Sequence, residues 1–138
     1  MTDALKTSLV ISSAGLAAQS QRMRIVSENM ANANTTGRTS GSEPYQRKTI
    51  SFVAALDRDS GISKVKVDRV GVDASPFTMV YDPGHVAANE EGMVKMPNVE
   101  ILLEMADMRE TIRSYEANMQ AIKQARRLIS MTIDMIGN

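Results

Sequence analysis

Steps of four and three residues alternate without a slip from Ile101 to Ile136, through Met105, Met108, Ile112, Tyr115, Met119, Ile122, Arg126, Ile129 and Ile133. A repeat averaging 3.5 residues keeps one seam of a helix facing a partner along its whole length, which is the condition for coiled-coil packing. Arg126 alone is charged in that seam, and a lone polar seam residue can set register. No Pro or Gly falls between Asn98 and Ile136; Asn98, just after Met96-Pro97, is a candidate N-cap, and Gly137 closes the helix. Charge is graded from Glu100, Glu104, Asp107 and Glu110 to Lys123, Arg126 and Arg127, complementing the helix dipole and reading as a solvated face.

The N-terminal part carries a second helical pattern. Leu9, Leu16, Met23 and Met30 recur every seven residues, with Leu5 and Val26 on the neighbouring line and no proline, which predicts an amphipathic helix over residues 2–30. Ser12 and Gln19 narrow the stripe, and Gly15 weakens the isolated helix by about 1 kcal/mol. This helix needs something to pack against. Helices of about 28 and 39 residues would be roughly 42 and 58 Å long, so antiparallel pairing within one chain leaves about ten residues of the longer seam uncovered. Each buried Ile or Met contributes about 1.5 to 3 kcal/mol, enough to drive assembly, and the expected cover is another subunit. The ends of a free monomer are expected to fray.

Residues 31–97 differ from both flanks: they hold all 4 prolines and, with Gly15 and Gly137 outside, six of the 8 glycines. Alternation predicts strands over residues 46–53, around Ile50 and Phe52, and over 64–72, where Val65 and Val67 fall out of phase with Val70 and Val72 and suggest a bulge. Phe77, Met79 and Tyr81 alternate again, and Asp82-Pro83-Gly84 has the order of a type II turn. Residues 38–44 read as a mobile loop. The expected class is α+β: long N- and C-terminal helices in a coiled-coil domain (residues 1–30 and 98–138) around a small β-rich insertion (31–97).

Chemistry finds little to use. The chain has no Cys, so disulfides, thiolate nucleophiles and Cys-type metal sites are excluded. Lys and Arg balance Asp and Glu at 16 each, which gives no electrostatic footprint for nucleic acid or anionic lipid. Eleven Met but only five aromatic residues suit helix seams better than enclosed pockets. His85 is the only histidine and lacks a nucleophile motif; it reads as a turn residue. Asp82, His85, Glu90 and Glu91 fit no metal-ligand spacing, and no glycine-rich phosphate loop is present. The expectation is therefore no enzyme, no cofactor, no metal, no nucleic acid and no small-molecule substrate. No apolar run approaches the ~20 residues of a membrane span, and Asp3 together with helical periodicity through Ala14–Ala18 argues against a cleaved signal peptide.

One stretch is unusual. Asn29, Asn32, Asn34, Thr35, Thr36 and Gly37 cluster where the first helix ends; such side chains bond nearby backbone, and Asn tolerates the left-handed conformation that ends helices. The cluster reads as a cap and as a junction that redirects the chain.

The run Asn29-Met30-Ala31-Asn32-Ala33-Asn34-Thr35-Thr36-Gly37 resembles the N-terminal signature of bacterial flagellar axial proteins, and Ser114-Tyr115-Glu116-Ala117-Asn118 resembles its C-terminal counterpart. Val80-Tyr81-Asp82-Pro83-Gly84-His85, Glu90-Glu91-Gly92 and Val94-Lys95-Met96-Pro97-Asn98-Val99 narrow the resemblance to the proximal rod of the flagellar basal body. The resemblance implies a structural subunit, exported unfolded through the flagellar type III apparatus without a cleaved signal. It would join the rod that spans the periplasm, with other rod proteins and copies of itself as partners. The expected subunit interface is Leu9, Leu16, Met23, Met30, Ile112, Tyr115, Met119, Ile122, Ile129 and Ile133. A cytoplasmic coiled-coil adaptor is the alternative.

Overall fold

The computed structural model describes residues 2–138. Its elements run α1 (Thr2–Ala31), β1 (Lys48–Asp57), β2 (Ile62–Val72), β3 (Thr78–Tyr81), β4 (Met93–Met96) and α2 (Ile101–Ile136). The class is α+β, with two terminal helices and a small β-rich region between them.

Helix α1 has Asp3 in its first turn, where a carboxylate complements the N-terminal dipole. It ends without a left-handed residue: among the described residues no non-Gly position has positive φ, so the conformation expected of the Asn cluster is not used. Asn32 closes the helix by another route, its backbone N–H and its Nδ2 both donating to the Glu28 carbonyl at 3.1 and 2.8 Å. Helix α2 starts at Ile101, three residues after the expected cap. Asn98 does not cap it, because the Asn98 side chain is committed elsewhere: it accepts from the Arg47 N–H at 2.8 Å and donates to the carbonyls of Asp73 and Ser75.

The strands form two separate pairs, β1 with β2 and β3 with β4. The second pair is antiparallel, with Thr78 opposite Met96 and Tyr81 opposite Met93. Strand β4 had no sequence signal, since Met93-Val94-Lys95-Met96 contains a single β-branched residue. In β2 the out-of-phase valines face opposite ways along one strand: Val65 and Val67 are half-buried, while Val70 and Val72 are exposed.

The turn at Asp82-Pro83-Gly84 is closed by the His85 N–H donating to the Asp82 carbonyl at 3.1 Å, but Gly84 keeps negative φ, so it is not the expected type II turn. Positive φ falls instead on Gly92, just before β4, where a Cβ would also lie 2.9 Å from the Tyr81 ring and 3.1 Å from Pro83. Residues 38–44, expected to be mobile, are tied down. Ser42 Oγ donates to the Thr39 carbonyl, Ser40 Oγ to the Ala88 carbonyl and the Gly41 N–H to the Ala87 carbonyl, at 2.6, 2.6 and 3.1 Å.

The chain forms two compact units from interleaved segments. The first comprises α1 up to Met23, Ser51–Arg69 and Arg109–Asn138; the second comprises Arg24–Ile50 and Val70–Met108. Inside the first, the helices run antiparallel: Gly15 lies against Asn118, and Arg22 lies 3.9 Å from Glu110.

Candidate assembly surface and helix junction

In the first unit, α1 and α2 meet through small and polar side chains. Ser12, Gly15 and Ala18 are buried on α1, and Thr111, Ile122 and Ala125 on α2. A Cβ on Gly15 would lie only 2.8 Å from Asn118 Oδ1, so glycine sets how closely the helices approach. On α2 a line of buried Thr111, half-buried Asn118 and buried Ala125 runs one position away from Ile112, Met119 and Arg126. Gly15 allows the close approach; of the bulkier apolar line, Ile122 is enclosed while Ile112 and Ile133 are left exposed.

The expected interface residues are therefore placed unequally. Leu9, Leu16, Met23, Tyr115, Met119 and Ile129 are half-buried, and Ile122 is enclosed by its own chain. Ile112 and Ile133 stand 41% and 62% exposed, and Leu128, Met131, Met135 and Ile136 are exposed as well. Met30, in the second unit, is half-buried. Among the described residues no helix is long and apolar enough to cross a membrane.

The junction lies within the second unit, and Asn29 is its centre. Though 99% buried, Asn29 meets four partners: Oδ1 accepts from the Lys48 N–H at 2.9 Å and the Tyr45 hydroxyl at 2.8 Å, while Nδ2 donates to the Lys48 carbonyl at 2.9 Å and to Glu104 at 3.4 Å. One amide thus holds the end of α1, the first residue of β1 and α2. Asn32 accepts from Thr35 Oγ1 at 3.1 Å, and the Thr35 carbonyl accepts from the Tyr45 N–H at 2.9 Å. Thr36 Oγ1 lies 3.5 Å from His85 Nε2, and His85 Nδ1 accepts from the Ala87 N–H, an arrangement that puts the proton of a neutral ring on Nε2. Gly37 gives Ser42 room, since a Cβ there would come within 1.9 Å of its hydroxyl oxygen. Asn34 is exposed.

The largest correction concerns Glu104. Expected on a solvated face, it is as deeply buried as Asn29. Arg47 Nε donates to its Oε1, and the Arg47 guanidinium also reaches Asp73 at 3.5 Å. Burial works to lower the Arg47 pKa, but the bond to Glu104 and its charge outweigh this and raise it. Around this knot, Lys48 reaches Glu28 at 2.8 Å and holds its carboxyl below the usual range, while Glu28 raises Lys48. The Ser75 hydroxyl and N–H lower Asp73, and burial raises Tyr45. Only Asn29 of this network stood out in the sequence. The one available signal for Glu104 was its seven-residue spacing from Thr111, Asn118 and Ala125, the line that turns inward.

Among the described residues no three His, Asp or Glu side chains gather as metal ligands. A family model for flagella basal body rod protein matches residues 9–37, covering α1 from Leu9 onward and the junction. Another, for the C-terminal part of flagellar basal body rod FlgEFG protein, matches residues 90–135, from before β4 through α2. The chain is 54% identical over 134 residues to the flagellar basal-body rod protein FlgC of Agrobacterium fabrum, covering 97% of this chain and 96% of that one. It belongs to the FlgC family of flagellar basal-body rod proteins. The FlgC of Bacillus subtilis is 36% identical over 143 residues, covering 93% of this chain and 95% of that one. The FlgC of Salmonella typhimurium is 33% identical over 125 residues, covering 91% and 92%. As an FlgC-family member the chain is a structural subunit of the basal-body rod. A cytoplasmic adaptor is not favoured.

Proposed function

We propose that this FlgC-family chain builds the rod through its terminal helices, transmitting torque by packing against copies of itself and other rod proteins. The observation that carries the reading is the set of apolar side chains that α2 leaves exposed in the first unit: Ile112, Leu128, Met131, Ile133, Met135 and Ile136. A shaft loaded in torsion needs wide, dry contact between subunits, and such side chains supply it. Leu9, Leu16, Met23, Tyr115, Met119, Ile122 and Ile129 back or border that contact, and Met30 joins the interface from the second unit, residues 1–30 and 98–138 acting as the coiled-coil part and 31–97 as the β-rich part. The junction of Asn29, Asn32, Asn34, Thr35, Thr36 and Gly37 fixes the path of the chain from helix to β1. The chain leaves the cytoplasm through the flagellar export apparatus and assembles in the periplasm. It carries out no catalysis there.

Ile112→Asp tests this, because Ile112 is exposed and its replacement spares the fold. The variant should keep the helicity of the unaltered chain, disappear from isolated basal bodies and leave cells unable to swim. Normal swimming would rule out the α2 line as an assembly surface.

A further inference from the structure

The first compact unit has an open groove between α1 and the β1–β2 hairpin. Ala14, Ala17, Ala18 and Gln21 form its helical wall; Ala55 and the run Lys64, Val65, Lys66 and Val67 form the other. Methyl groups on the helical side leave space that larger side chains would fill, and the lining is mostly apolar. Lys64 is engaged with Asp57 at 3.1 Å. Lys66 is exposed, and no ion pair engages it among the described residues.

The same unit carries a feature of matching shape and charge. Leu128, Met131 and Met135, at i, i+3 and i+7 on α2, are 42%, 52% and 79% exposed, and exposed Asp134 lies beside them. That spacing is how an amphipathic helix lies in an apolar groove. The stripe spans seven residue steps, about 10 Å of helix rise, and so does the wall from Ala14 to Gln21.

We infer that the Leu128–Met131–Met135 stripe of one copy docks in the α1–hairpin groove of the next, with Asp134 against Lys66. This rests on the reading that copies assemble through their terminal helices, and it names the two faces. A chain cannot fill its own groove: the register of Gly15 against Asn118 puts Ala17 level with about residue 116, and Met135 lies some 28 Å farther along α2. Donor face and acceptor face differ, so the contact is heterologous and propagates instead of closing into a dimer.

The absence of Cys makes the test direct. An Ala17→Cys/Met135→Cys double variant, produced in cells lacking their own copy, is oxidised in isolated basal bodies and run on a non-reducing gel. A ladder of dimers, trimers and higher multimers is expected, with each single variant stopping at dimers and an Ala17→Cys/Val86→Cys control giving no ladder. Double variant present in basal bodies with no ladder, or with one no stronger than the control's, overturns the docking while leaving the assembly reading intact. Cross-links only to a different protein overturn the second copy as occupant. Absence of the unaltered chain from basal bodies defeats the assembly reading itself. Should the Cys variant fail to incorporate, the charge pair decides: Lys66→Glu and Asp134→Lys should each lower incorporation severalfold, and their combination should restore it. Without restoration the docking fails.

Discussion

Asn29 uses its full hydrogen-bonding capacity, two donors and two acceptors, in a site closed to water. Truncation would leave both backbone groups of Lys48 and the Tyr45 hydroxyl without their partner, and each buried unsatisfied group costs about 1 to 3 kcal/mol. Asn29→Ala should therefore lower unfolding free energy by about 3 kcal/mol in urea titration. Asn29→Asp should cost at least as much, because a carboxylate oxygen would face the Lys48 carbonyl and Glu104. Equal stability of either variant with the unaltered chain would dissolve the junction as described. The glycines offer a second contrast that sequence could not draw. Gly92→Ala meets both a positive φ and the Tyr81 ring, and should destabilise by about 1 to 3 kcal/mol. Gly84→Ala, whose added Cβ would meet only Asp82 Oδ1 at an ordinary 3.9 Å, should change stability by less than about 0.5 kcal/mol. The Asp-Pro-Gly order had pointed to the wrong glycine, because turn type depends on where the chain must go next, and here β4 and Tyr81 decide it.

At the scale of elements, period and breakers located α1 and the end of α2 almost to the residue, and the strands wherever β-branched residues alternate. Strand β4 was missed because pairing with β3, and not its own propensity, makes it a strand. The faces of the helices were the harder problem. The heptad pattern marks the bulkiest apolar line, whereas close helix approach selects the smallest one, and Gly15 opposite Asn118 shows the selection at work. Gly15→Ala gains about 1 kcal/mol of helix propensity but pushes into Asn118, so the gain should be absent or reversed. With Asn118→Ala the obstacle is gone and Gly15→Ala should stabilise. A double-mutant cycle read by thermal or urea unfolding should give a coupling of about 1 kcal/mol; additive effects would mean the helices do not touch there.

Across the whole molecule, stability should depend on pH in one direction at each end of the scale. Lys48 lowers Glu28, Lys64 lowers Asp57 and Ser75 lowers Asp73, so these carboxylates contribute stability above their unfolded pKa and lose it as pH falls through their folded values. The raised pKa of Lys48 and of Tyr45 works oppositely, contributing below about pH 10 and fading as pH rises through the folded values. The denaturation midpoint should be flat near neutrality and drop below about pH 4, and Glu28→Gln should soften the acid drop; an unchanged acid limb would exclude the Glu28–Lys48 pair as a contributor. Sequence by itself determined the class, the two long helices and, through the Asn-rich run and the motifs around Asp82 and Met96, the family. Those properties live in local periodicity and in residue identity, which the chain carries without folding. Tertiary structure decided which helix face turns inward, that Glu104 is a buried partner of Arg47, and that residues 38–44 are held. Each of these depends on which distant group arrives beside it, and burial is settled only when all the competing faces have been packed.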